Sequence, residues 1–133
     1  MVNQHKINDV IDELELRDKN YMIYMGGSLC IRGVRLTNDL DICVEPEMFL
    51  YLAKKYNKEN DIYIALVDRK FDLEIEDFNV EIFERTNFDD EYEIVDGLKC
   101  QTLDEIIKMK RRFNREKDQK DIIMLKELRD KAQ

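Results

Sequence analysis

The sequence predicts an α/β (α+β) domain with a mixed sheet of about four or five strands flanked by helices. Three observations carry that expectation. Apolar residues recur at helical spacing near both ends, at Ile7, Val10, Ile11 and Leu14 and again at Ile122, Ile123, Leu125 and Leu128. Between them lie runs of β-branched and aromatic residues, at 62–67, 71–75 and 80–83, the composition of strands. At 133 residues the chain has enough apolar content for one core and no room for a separate recognition domain, so 1–133 is a single unit.

Taken in order, the first helix should run from Ile7 to about Lys19, and a short strand, Tyr21 to Met25, should follow. Gly26-Gly27 then makes a turn that opens a short helix through Ile31, with Ser28 as its cap and Gly33 as its stop. Arg35 to Asn38 lead into a strand containing Asp39, Leu40, Asp41, Ile42 and Val44. Pro46 ends that strand and fits the first turn of the next helix, where its missing N–H costs little. Residues 76–79 are short enough for a hairpin between the second and third β-rich runs. Thr102 and Glu105 form a capping box ahead of a helix, and the apolar spacing from Ile122 continues into a final one. There is no repeat, linker or low-complexity tract.

Charge and composition narrow the function. A net charge of −8 argues against a protein that coats nucleic acid, since such binding depends on many Lys and Arg side chains meeting phosphates. Locally the balance reverses: between Lys108 and Lys120 seven basic residues outnumber Glu116 and Asp118, a stretch suited either to triphosphate or a short RNA end, or to a solvated helix face. Cys30, Cys43 and Cys100 are odd in number, far apart and set among apolar residues, which fits reduced core thiols rather than disulfides or zinc ligands. No apolar run nears the ~20 residues of a membrane span, and no leader pattern is present, so a cytoplasmic protein is expected. His5, the lone histidine, has no Ser or Cys partner in its polar segment, which leaves nucleophilic triads unsupported.

The chemistry lies between residues 26 and 41. Glycines at the end of a strand let the backbone approach a ligand without a Cβ in the way, and amides at a helix start favour anions, so Gly26, Gly27 and Ser28 suit phosphate. Asp39 and Asp41, two apart in an apolar strand, project from one face. Asp is disfavoured in strands, and metal ligation supplies a reason for the pair. A carboxylate site meets a polyanionic triphosphate through bridging divalent cations, and two metals about 4 Å apart clamp an in-line phosphoryl displacement.

The segment GGSLCIRGVRLTNDLDICV resembles the nucleotide-binding signature of the polymerase-beta-like nucleotidyltransferase superfamily. That resemblance implies a nucleotidyltransferase fold and a third carboxylate on a neighbouring strand. Glu81, within Asn79-Val80-Glu81-Ile82-Phe83, occupies such a position, with Glu where Asp is commoner and with Asp72, Glu74 and Glu76 as competitors. Residues 103–110 and 115–122 resemble minimal bacterial and phage members, among them the toxins of toxin-antitoxin and abortive-infection systems. There Lys110 would contact nucleotide phosphates, and Asp118, with Asp121 as the less favoured partner, would help complete the site.

The resemblance implies an enzyme that moves a nucleoside monophosphate from an NTP to an acceptor hydroxyl on RNA or a tRNA end, a protein or a small molecule, with pyrophosphate released. Asp39, Asp41 and Glu81 would bind two Mg2+ ions, with Mn2+ as a substitute. The alternative is a catalytically weak nucleotidyltransferase-like module that binds nucleotide or a protein partner, as an antitoxin or regulatory subunit would.

Overall fold

The computed structural model describes residues 4–34, 36, 37, 39–64, 68–75, 78–88 and 91–131, with residues 4, 5 and 78 described by backbone alone. Arg35 and Asn38 of the expected loop, 65–67 of the first β-rich run and 76–77 of the expected hairpin lie outside the described residues.

Among the described residues the order is α1 (Gln4–Glu13), β1 (Tyr21–Tyr24), α2 (Met25–Ile31), β2 (Asp39–Val44), α3 (Pro46–Lys55), β3 (Tyr63–Ile64), β4 (Arg69–Ile75), β5 (Phe78–Glu84), β6 (Tyr92–Val95), β7 (Leu98–Gln101), α4 (Leu103–Phe113) and α5 (Glu116–Lys131). The α/β class is as expected, but the strands number seven rather than four or five, in one mixed sheet ordered β3-β4-β5-β2-β1-β7-β6. Part of the surplus is the β6–β7 hairpin, turned by Asp96 (φ 52°) and Gly97 (φ 78°). An Asp-Gly pair supplies the two left-handed residues such a turn requires.

Strand alternation sorts the sheet into two faces. Ile23, Leu40, Ile42, Val44, Phe71, Leu73, Ile75, Val80 and Ile82 point inward and share one core with Ile7, Val10, Ile11 and Leu14 of α1 and Phe49 and Leu52 of α3. Phe49 and Phe71 stack at 4.9 Å between centroids, a contact worth about 1 kcal/mol beyond the area it buries. A second cluster joins Leu29 of α2 to Leu103, Ile106 and Ile107 of α4 and Leu125 of α5.

Helix ends follow the local chemistry, with two departures from expectation. Pro46 sits in the first turn of α3, and the Thr102 hydroxyl accepts from the Glu105 N–H at 3.1 Å. Gly33 (φ 75°) stops α2 in a Schellman motif: its N–H donates to the Cys30 carbonyl and that of Val34 to the Leu29 carbonyl. The first departure is α1, which ends at Glu13 rather than near Lys19, because Glu15 enters the left-handed region at φ 59° and Leu16 N–H closes back on the Ile11 carbonyl. The burial of Leu14 and Leu16 explains why the turn folds back there. The second is α2, which begins at Met25, so both glycines lie inside the helix and Tyr24 takes the cap position without a side-chain bond.

Candidate active site

Two facts of register bring the acidic residues together. β2 pairs in parallel with β5, setting Asp41 opposite Glu81 and Asp39 opposite Asn79, and β4 pairs with β5 so that Asp72 also stands opposite Glu81. On the other side Tyr24 of β1 is opposite Asp41. Tyr24, Asp41, Glu81 and Asp72 therefore form a row across four strands, on the face turned away from α1 and α3.

Within that row the Asp41 and Glu81 carboxyls are in hydrogen-bond contact, and Asp39, more exposed, adds its charge from the strand end. Burial, then the bond to and charge of Glu81, then Asp39, push the Asp41 carboxyl up to about 7. Lys70 acts the other way, with its ammonium 2.5 Å from Glu81 Oε1. Among the described residues no trio of carboxylate, thiol or imidazole groups stands in a metal-coordinating arrangement. The nearest grouping is the Asp41–Glu81 pair with Asp39 beside it. Its donors are hard oxygens that repel one another, the set a divalent Mg2+ or Mn2+ neutralises best.

The glycines serve close packing. A Cβ on Gly27 would stand 2.6 Å from Leu40 Cδ1 and 2.7 Å from Ile23 Cγ2, so its absence lets α2 lie directly on β1 and β2. A Cβ on Gly26 would meet Thr37 Oγ1 at 2.9 Å. Both residues lie in the first turn of α2, whose amides have no carbonyl four residues back within the helix.

Ser28 is not the expected cap. It is fully buried in mid-helix, and its hydroxyl donates to the Gln101 carbonyl at 2.8 Å, because β7 runs alongside β1 and brings that carbonyl under α2. Arg32 closes the same network, donating to the Ser28 and Gln101 carbonyls at 3.0 Å and to Glu93 Oε2 at 2.9 Å. Ser28 thus anchors α2 from within.

Lys110 and Asp118 come together, but not with the carboxylate row. The Lys110 ammonium, 4% exposed, lies 3.0 Å from Asp121 Oδ2 and 3.4 Å from Asp118 Oδ1. Asp118 is fully buried and accepts from Arg115 Nε at 2.6 Å and from the Arg115 backbone N–H at 3.2 Å. The Arg115 guanidinium and amide, then Lys110, hold the Asp118 carboxyl down at about 2. Lys110, expected to meet nucleotide phosphates, is here paired with Asp118 and Asp121 in a clasp between α4 and α5.

Sequence reasoning missed three residues beside the site. Lys70 is one, legible only through the β4–β5 register. Met25 is another: it enters α2 at φ 47°, a costly conformation for a residue with a Cβ, and its N–H donates to Gln101 Oε1 at 3.0 Å. Gln101, which holds both Met25 and Ser28, is the third, and its separation from α2 in sequence gave no local signal.

Compared with protein-family models, curated proteins and solved structures, the chain matches none. Among the described residues no helix is long and apolar enough to cross a membrane.

Proposed function

We propose that this chain is a magnesium-dependent nucleotidyltransferase of the polymerase-beta-like kind, working in the cytoplasm. It would move a nucleoside monophosphate from an NTP to an acceptor hydroxyl on an RNA or tRNA end, a protein or a small molecule, with release of pyrophosphate. The observation that carries this reading is the placement of Asp39, Asp41 and Glu81 on the adjacent strands β2 and β5, with Asp41 opposite Tyr24, the residue that precedes α2.

Asp39, Asp41 and Glu81 would hold two Mg2+ ions, or Mn2+ in their place, which when bound supply the charge neutralisation between these carboxylates and a triphosphate. Gly26 and Gly27 present first-turn amides toward phosphate oxygens without side chains in the way. Glu81, between Asp41 and Asp72 in the row, would take the proton of the acceptor hydroxyl at its carboxylate. Ser28, Gln101 and Arg32 fix α2 against β7, and the Lys110–Asp118 clasp fixes α4 against α5.

The experiment incubates the purified protein and Asp39→Asn with Mg2+, each α-labelled NTP in turn, and cell extract separated into RNA, protein and small-molecule fractions. Label entering one fraction with the parent alone supports transfer and names the acceptor class. Transfer by Asp39→Asn above a tenth of the parent rate would sink the site assignment. One observation favours the non-catalytic module instead: Lys70 and Lys110 are both committed to internal carboxylates. Metal-dependent NTP binding without transfer to any fraction is the result that selects it.

A further inference from the structure

Lys70 stands in the carboxylate row, and nothing in its immediate sequence marks it for that place. On β4 it alternates with Phe71 and Leu73, which enter the core, so Lys70 and Asp72 share the outer face with Glu81. Lys70 is diagonal to Glu81 across the β4–β5 ladder, a spacing that a long side chain spans. Its ammonium reaches Glu81 Oε1 at 2.5 Å, and its charge also acts on Asp41.

β3 holds the lysine in this position. Tyr63 is directly opposite Lys70, with its ring centroid 5.0 Å from the ammonium and its hydroxyl 3.4 Å from Asp72 Oδ2. The neighbouring cation on the same strand, Arg69, serves a different acid, donating from Nε and Nη2 to Glu84 at 2.6 and 2.8 Å.

We infer that Lys70 is the internal counter-cation of the site: it holds the Glu81 oxygen that a divalent ion would take, so metal and ammonium compete for one carboxylate. The inference rests on the proposed metal role of Glu81. Its functional consequence is a threshold, because Lys70 weakens metal binding to the free protein. An ion arriving with a triphosphate brings further ligands and anionic charge, which offset the competition and give the displaced ammonium an anion to face. Lys70 is a positioning residue in this scheme, acting through Glu81.

The test uses Mn2+ alone, with affinity read from the loss of the free-ion electron paramagnetic resonance signal on the full chain. Lys70→Met and Lys70→Gln should each bind Mn2+ about tenfold more tightly than the parent, since an opposite charge within ~4–6 Å is worth one or more orders of magnitude and partial exposure reduces it. Arg69→Met, which removes the same charge from the same strand, should stay within about twofold of the parent. Equal binding by the parent and both Lys70 variants would overturn the inference and leave the metal site standing. Equal tightening in Arg69→Met would overturn it as well, by showing a general charge effect. No Mn2+ binding by any of these proteins would remove the metal site and the inference together.

Discussion

At the α4–α5 junction Lys110 and Arg115 face Asp118 and Asp121, and four opposed charges close on one another in a buried clasp. On the outer face of the sheet, Asp39, Asp41, Glu81 and Asp72 lie near one another, and the ammonium of Lys70 meets Glu81 and acts on Asp41. The first cluster balances its charge internally, whereas the second carries an acidic excess that a proton on Asp41 partly relieves. The carboxyl groups report the difference: Asp118 is held down at about 2 by its cations, whereas Asp41 is pushed up to about 7 by burial and its acidic neighbours. A balanced buried cluster is costly to break, because removing one partner leaves a charge uncompensated. An unbalanced one is kept at a cost to stability, which is what a binding site for cations looks like.

The contrast is broken most decisively by exchanging a charge in each cluster. Asp41→Asn should lower transfer about a hundredfold or more, since it removes a group acting on the reacting charges. The same variant should melt at an unchanged or higher temperature at pH 8, because it relieves repulsion. A lower melting temperature would mean that the acidic row is already balanced. Lys110→Met should do the opposite, costing about 2–3 kcal/mol in urea unfolding by removing the buried ammonium that Asp118 and Asp121 share. If it abolished transfer at unchanged stability, Lys110 would belong to the site after all.

Two smaller effects sharpen the comparison. Gly27→Ala, in the helix that joins the two regions, should cost about 1–3 kcal/mol, because the added methyl group overlaps Leu40 and Ile23. A thermal melt that moves by less than a degree would show that α2 can lift freely. Asp118 provides a pH signature. Its folded-state value lies below the ordinary 3.8, so its stabilisation is fully present above about pH 4 and is lost as pH falls toward 2. The stability gap between the parent and Asp118→Asn should hold constant from pH 6 to 4 and narrow below that, measured by urea unfolding at each pH.

How much of this was legible beforehand depends on the range of the signal. Pro46, Gly33 and the Thr102–Glu105 box act over a few residues, and each marked its helix end correctly. Asp96-Gly97 is an equally local signal for the β6–β7 hairpin, but the flanking strands are short and partly acidic and so carry little strand pattern of their own. Asp39 and Asp41 were readable as a same-face pair from period two alone. The contact of Asp41 with Glu81 needs the parallel β2–β5 pairing, about forty residues apart, and no local pattern encodes it. Ser28 was not legible as a mid-helix anchor, nor Lys110 as part of a clasp, for a related reason: their partners, Gln101 and the 118–121 turn of α5, arrive through tertiary packing.

The position of β7 gives the site a direction in time. Ile23 of β1 pairs with Cys100, and the N–H of Met25 and the hydroxyl of Ser28 both end on Gln101. Loops of more than seventy residues must close before those contacts form, whereas β4 and β5 meet across a short turn. As the chain leaves the ribosome, Asp39, Asp41 and Glu81 are therefore available to one another before the left-handed Met25 turn has anything to hold it. Residues 98–101 are the last of these to be made, so the Met25 turn and Ser28 gain their Gln101 partners only after all three carboxylates have been synthesised.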